Sequence, residues 1–140
     1  MLSARYVAAA IAFGLVWGLA VGSHAQEWET VRIEADEYRF VPNRIKLAAG
    51  QPVRIEIHNS GNEQHEFRSR LLESHFVEIE GGGVTIQGTG IHSILIEKGT
   101  IATIQWLSPT RGTYEFECRI PSHHGMDGTI IVEEEKSPGP

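Results

Sequence analysis

From Trp28 to Val132 the chain alternates apolar and polar residues in short runs, most of them closed by Gly, Pro, Asn or Ser. A period of two places successive side chains on opposite faces of an extended strand. Thr30 to Ala35 turns Val31, Ile33 and Ala35 to one face, and Tyr38-Arg39-Phe40 makes another short extended piece. Arg44 to Ala48 and Pro52 to His58 flank Ala49-Gly50, with Val53, Ile55 and Ile57 inward. They read as two strands around a tight turn. The pattern returns: IKLAAGQPVRIEI (Ile45 to Ile57) and ILIEKGTIATIQW (Ile94 to Trp106) set a glycine at the same offset, which predicts two equivalent hairpins. Phe76 to Ile79 and Val84 to Gln87 can pair across Gly81-Gly82-Gly83 as a small extra hairpin. Thr113 to Cys118 lines up Tyr114, Phe116 and Cys118, Thr129 to Val132 makes a last strand, and EEEKSPGP is a polar tail. Trp28, Phe40, Trp106, Tyr114 and Phe116 read as core or edge aromatics, and no long amphipathic helix is legible. The expected fold class is all-β, a Greek-key β-sandwich or barrel of about eight strands.

The first 25 residues follow a different logic. MLSAR carries one positive charge, Tyr6 to Gly22 is apolar throughout, and Ser23-His24-Ala25 supplies the small residues a signal peptidase needs. This order predicts a secretory signal at 1–25 cleaved after Ala25, with a domain over 26–140. The competing reading is an uncleaved anchor, for which seventeen apolar residues are short. Losing Arg5 leaves 11 of the 12 Lys and Arg against 18 Asp and Glu, a net charge of −7 with histidine neutral. Such a chain is repelled by phosphate backbones, so nucleic acid is excluded as a partner, and it is steered toward basic protein faces. Export predicts a periplasmic or secreted protein with no stable membrane insertion after cleavage.

An oxidising compartment favours paired cysteines, yet Cys118 is the only cysteine in the chain. It leaves an intermolecular bridge, an inert buried thiol or a metal ligand. Its surroundings, CRIPSHHGM, favour the third. Cys118 ends a strand, and His123 and Met126 lie on the loop that follows, spaced Cys-x4-His-x2-Met. Thiolate and thioether are soft donors and imidazole is borderline, a combination suited to copper. A second imidazole from another strand would complete a plane of two nitrogens and one sulfur. His65, at the start of the strand after Ser60-Gly61-Asn62, is the candidate. His124 would give Cys-x5-His-x1-Met, with too little chain for both groups to turn onto one ion, and reads as solvent-facing. His58, His75 and His92 have no ligand-like company.

Asn59-x5-His65 and the Cys-His-Met loop together resemble the cupredoxin family, the blue-copper proteins of the plastocyanin, azurin and amicyanin kind. YRFVPNRIKLAAGQPVRIEIHNSGNEQHEF is similar to the family's N-terminal half, and YEFECRIPSHHGMDGTIIVEE to its ligand loop and last strand. The resemblance implies one copper ion held by His65, Cys118 and His123 in a plane, with Met126 as a long axial ligand. It implies further that the Gln64 carbonyl approaches the opposite axial position and that His123 is the exposed edge through which an electron leaves. Ser122 stands where azurin-like loops carry Gly, and the His123 to Met126 spacing is closer to that of amicyanin. Glu66 stands where several relatives carry an Asn that ties the ligand loops together, adding negative charge near the metal.

Nothing in the chain supports hydrolysis: there is no nucleophile elbow and no His-Glu-x-x-His. Oxidase-type electron routing uses histidines beside the ligand cysteine, where this chain has Glu117 and Arg119, and a dinuclear copper centre needs a second cysteine. The expectation is therefore a monomeric, non-enzymatic, exported copper protein. It would carry single electrons between redox protein partners, one with a basic docking face, or else serve copper tolerance or delivery.

Overall fold

A computed structural model describes residues 27–134, so the predicted signal segment lies outside the described residues. Eleven strands and one short helix follow in the order β1 Glu29–Asp36, β2 Arg39–Val41, β3 Arg44–Ala48, β4 Val53–Asn59, β5 His65–Ser69, α1 Arg70–Ser74, β6 Val77–Gly81, β7 Val84–Gly88, β8 Ser93–Ile96, β9 Ile101–Trp106, β10 Gly112–Glu117 and β11 Asp127–Glu133. They form a six-stranded sheet, β2-β1-β4-β9-β6-β7, against a five-stranded sheet, β3-β11-β10-β5-β8. The expected sandwich is present, with more strands than expected because β2, β7 and β8 are brief edge pieces. Among the described residues no helix is long and apolar enough to cross a membrane.

Alternation sets the core as the sequence implies. In β4 every second residue is fully covered, giving Val53, Ile55, Ile57 and, at the end, the polar Asn59. Ile33 and Ala35 of β1, Ile104 and Trp106 of β9, and Ile130 and Val132 of β11 meet them between the sheets. Phe40, Phe67 and Phe116 pack together, Phe67 stacked on Phe116 at 5.1 Å and Phe40 edge-on to both. Rings at these distances add about 0.5–1.5 kcal/mol per pair beyond their buried area.

The two predicted hairpins around Gly50 and Gly99 are not hairpins. β3 pairs in parallel with β11, whereas β4 pairs with β1 and β9 in the other sheet. β8 likewise pairs with β5, and β9 with β4 and β6. Each turn is an arch that carries the chain over the rim from the five-stranded sheet to the six-stranded one. Both strands of an arch point apolar residues into the same core from opposite sides. Alternation around a glycine is compatible with either geometry, and only long-range pairing distinguishes them. The repeat itself is real, since both arches cross in the same sense and hold their glycine at positive φ, 77° and 74°. The small extra hairpin is a true one: β6 and β7 pair antiparallel, with Gly81 opposite Val84. Gly82 and Gly83 supply the two left-handed residues that a two-residue turn needs, at φ 57° and 78°.

One glycine is a packing requirement. A Cβ on Gly128 would clash with the Phe116 ring at its Cζ and lie 2.7 Å from the Asn43 carbonyl oxygen, which accepts from Thr129 N. Gly128→Ala is expected to overpack the floor beneath the ligand loop and to destabilise the fold by about 2 kcal/mol. A lowered urea midpoint with an unchanged slope checks it.

Candidate metal centre

The site lies where β5 begins and β10 ends. Alternation puts His65 on the same face as Phe67, and Cys118 on the same face as Phe116, so both donors continue the buried faces that carry the aromatic stack. Cys118 N donates to Met126 O at 2.9 Å, one step beyond the Glu117–Asp127 pair, so the β10–β11 ladder closes the ligand loop at its base. Inside the loop His123 N donates to Ile120 O at 3.1 Å. Ser122 takes a left-handed φ of 75°, the conformation in which a glycine would be unstrained.

His65, Cys118 and His123 converge: one donor atom from each lies within 4.8 Å of the other two, and all three residues are buried. Cys118 Sγ is 3.5 Å from His123 Nδ1, and the two imidazole rings are 5.1 Å apart between centroids. Neither nitrogen of His65 has a hydrogen-bond partner although the residue is 0% exposed. A buried imidazole without a partner is costly unless something else takes its lone pair. Burial, and then the nearby His123, push the His65 pKa below the usual histidine value, against an opposing pull from Glu37, Glu63 and Asp36. The ring is thus held neutral, the form that can coordinate a cation. Met126, the fourth predicted residue, is buried on the same loop and lines one shallow cavity with Cys118 and His123.

A family model for the cupredoxin-like domain matches residues 8–132. The chain belongs to the cupredoxin family. Its metal is copper, and the donors suit it: one thiol, two imidazoles with a free nitrogen facing inward, and no carboxylate within the cluster. Over 117 residues the chain is 31% identical to the copper-resistant cuproprotein CopI of Rubrivivax gelatinosus, spanning 79% of this chain and 70% of that one. The fold is similar to that of auracyanin B, at 21% identity with a TM-score of 0.52 over 75% of this chain and 88% of that one. It is also similar to auracyanin A, a "blue" copper protein of Chloroflexus aurantiacus, at 19% identity and a TM-score of 0.50 over 76% of this chain and all of that one.

Around the cupredoxin site, further residues do work that the sequence only partly disclosed. Asn59 is fully buried, and its amide donates to Glu63 O at 2.7 Å and Ile96 O at 2.8 Å while its oxygen accepts from Gly61 N at 3.0 Å. It fixes the turn that delivers His65. Gly61 leaves room beside His65 that a side chain would fill, since a Cβ there would lie 2.9 Å from His65 Nε2. Glu66 keeps the tying role expected of an Asn at its place: its carboxylate accepts from Arg119 N at 3.1 Å. The Glu66 N–H in turn points at Cys118 Sγ from 3.4 Å.

His124 is exposed, as expected. His58 and His92 pair with Glu34 and Glu73, and His75 packs against Trp106 and Tyr114; none approaches the cluster. The exit edge is different from the expectation. His123 is only 3% exposed, its Nε2 lies 2.8 Å from Glu63 Oε2, and the Tyr38 ring stands edge-on to it at 4.9 Å. Tyr38 itself is not in a strand. It sits in the β1–β2 turn at a left-handed φ of 63°.

Proposed function

We propose that His65, Cys118 and His123 hold one copper ion, with Met126 as a weak axial donor, and that the exported protein uses this centre in copper tolerance without catalysing a reaction. The observation that carries the choice is the closed His123 edge. A carrier that passes electrons through this imidazole needs it at the surface, and here Glu63 and Tyr38 stand over it. The likeness to a cuproprotein named for copper resistance supports the same direction.

Electron carriage is the second reading. A specific feature favours it: the donors come from the start of β5, which is paired with β8 and β10, and from a loop whose base is locked by the β10–β11 ladder, so neither copper state can rearrange the cage freely. Asp36, Glu37, Glu63 and Glu66 near the centre would then meet a basic redox partner, with an on-rate that falls as salt rises.

A strain lacking the gene separates the two. Copper tolerance predicts growth failure at raised external copper with respiration intact. Impaired respiration with unchanged copper tolerance would reject it in favour of the carrier.

A further inference from the structure

His123 has two ring nitrogens with different neighbours. Nδ1 faces the Cys118 sulfur at 3.5 Å, and Nε2 faces Glu63 Oε2 at 2.8 Å. A carboxylate only accepts, so the proton sits on Nε2 and the lone pair is left on Nδ1, aimed at the cluster. Glu63 reaches this position because Asn59 holds its backbone carbonyl. Its side chain is 53% exposed, whereas that of His123 is almost wholly covered. The Tyr38 hydroxyl lies 3.5 Å from the other Glu63 oxygen, so ring and carboxylate form one cover. Tyr38 keeps a left-handed backbone that a side chain tolerates poorly. A strained non-glycine residue against a ligand is a pointer to a role for its side chain.

We propose that Glu63 and Tyr38 are positioning residues for the copper ligand His123. Glu63 fixes the tautomer and makes the imidazole a stronger donor, which favours Cu(II) over Cu(I). Tyr38 completes the cover and keeps the ligand edge away from other proteins. The inference rests on His123 being a copper ligand and deepens that reading: the centre is built to keep copper oxidised and screened from electron exchange.

The test uses the full copper-loaded protein. Carboxylates that orient metal-bound histidines change affinity by about 10–100-fold when removed. Glu63→Ala is therefore expected to lower the preference for Cu(II) over Cu(I) about tenfold, which for one electron raises the reduction potential by about 59 mV. Glu63→Gln, which keeps an acceptor without the charge, should fall between. Glu97→Gln, an exposed carboxylate at the same end with no contact to His123, should leave the potential unchanged. Tyr38→Ala should leave the potential near that of the wild type yet speed electron self-exchange, read from NMR line broadening in mixed Cu(I) and Cu(II) samples. An unchanged potential in Glu63→Ala, or an equal rise in Glu97→Gln, overturns the role of Glu63. Unchanged self-exchange in Tyr38→Ala overturns the screening role. His123→Ala keeps the two levels apart. If it strips the coloured centre while Glu63→Ala is silent, only the present inference fails. If His123→Ala leaves colour and potential intact, the ligand assignment fails and this inference with it.

Discussion

Cys118→Ser is expected to abolish the visible chromophore of the copper-loaded protein completely. Colour at such a centre comes from charge transfer out of a thiolate, and Cys118 is the only thiol in the chain. A serine hydroxyl cannot replace it, because it stays protonated at neutral pH and is a hard donor where a soft one is needed. The fold should survive, since Cys118 sits at the edge of a core supplied mainly by Ile, Val, Leu and Phe. Apo Cys118→Ser should therefore melt close to the apo wild type, while copper should raise its stability far less. For the wild type, copper at about 100 times its dissociation constant adds about 2.7 kcal/mol by mass action. Visible absorption and paired denaturation curves with and without Cu(II) check both halves. A Cys118→Ser protein that keeps an intense band would place the chromophore elsewhere.

Asn59→Ala is expected to be the most damaging single polar change in the fold. Its side chain is fully buried and makes three hydrogen bonds to backbone, two of them buried, to Ile96 O and from Gly61 N. Truncation strands the Ile96 carbonyl and the Gly61 N–H in the interior, at about 1–3 kcal/mol for each buried group left unpaired. A loss of about 2–5 kcal/mol is the expected result, measured on apo protein so that copper does not mask it. Asn59→Asp should be no better, because it sets an oxygen where the amide donates to two carbonyls. Copper affinity should fall as well, through the freed His65 turn and the loosened Glu63. An Asn59→Ala protein with wild-type stability would mean that the turn is held by its own backbone, through the Asn59 N–Thr100 O and Gly99 N–Asn59 O bonds.

The all-β class and the site were legible because each rests on a local signal. Alternation in Val53 to Ile57 fixes which face is buried whatever the strand pairs with, and three donor types within one loop are informative without any fold. The pairing of β3 and β4 was not legible. An arch and a hairpin need the same turn residues and the same apolar alternation, and they differ only in which distant strand supplies the ladder. Helix α1 escaped notice because five residues are too few to display a period. Its signals are a capping Ser69, which accepts from Leu71 N at 3.2 Å, and the adjacent Leu71-Leu72 that it buries. The cover on His123 was invisible for another reason. Tyr38, Glu63 and His123 come from three separated turns, and nothing in the composition of any one of them points to the others. Ser122 was the reverse case, a departure from the glycine of similar loops that the positive φ now explains as a tolerated strain.

The proposed function stands on one thiolate–imidazole copper centre built from His65, Cys118 and His123. Stepwise addition of Cu(II) to the metal-free protein, followed by visible absorption, tests it most directly. An intense thiolate-to-copper band that grows linearly and stops at one equivalent is the predicted result. A colourless stoichiometric complex, or a band that keeps growing past one equivalent, would contradict it.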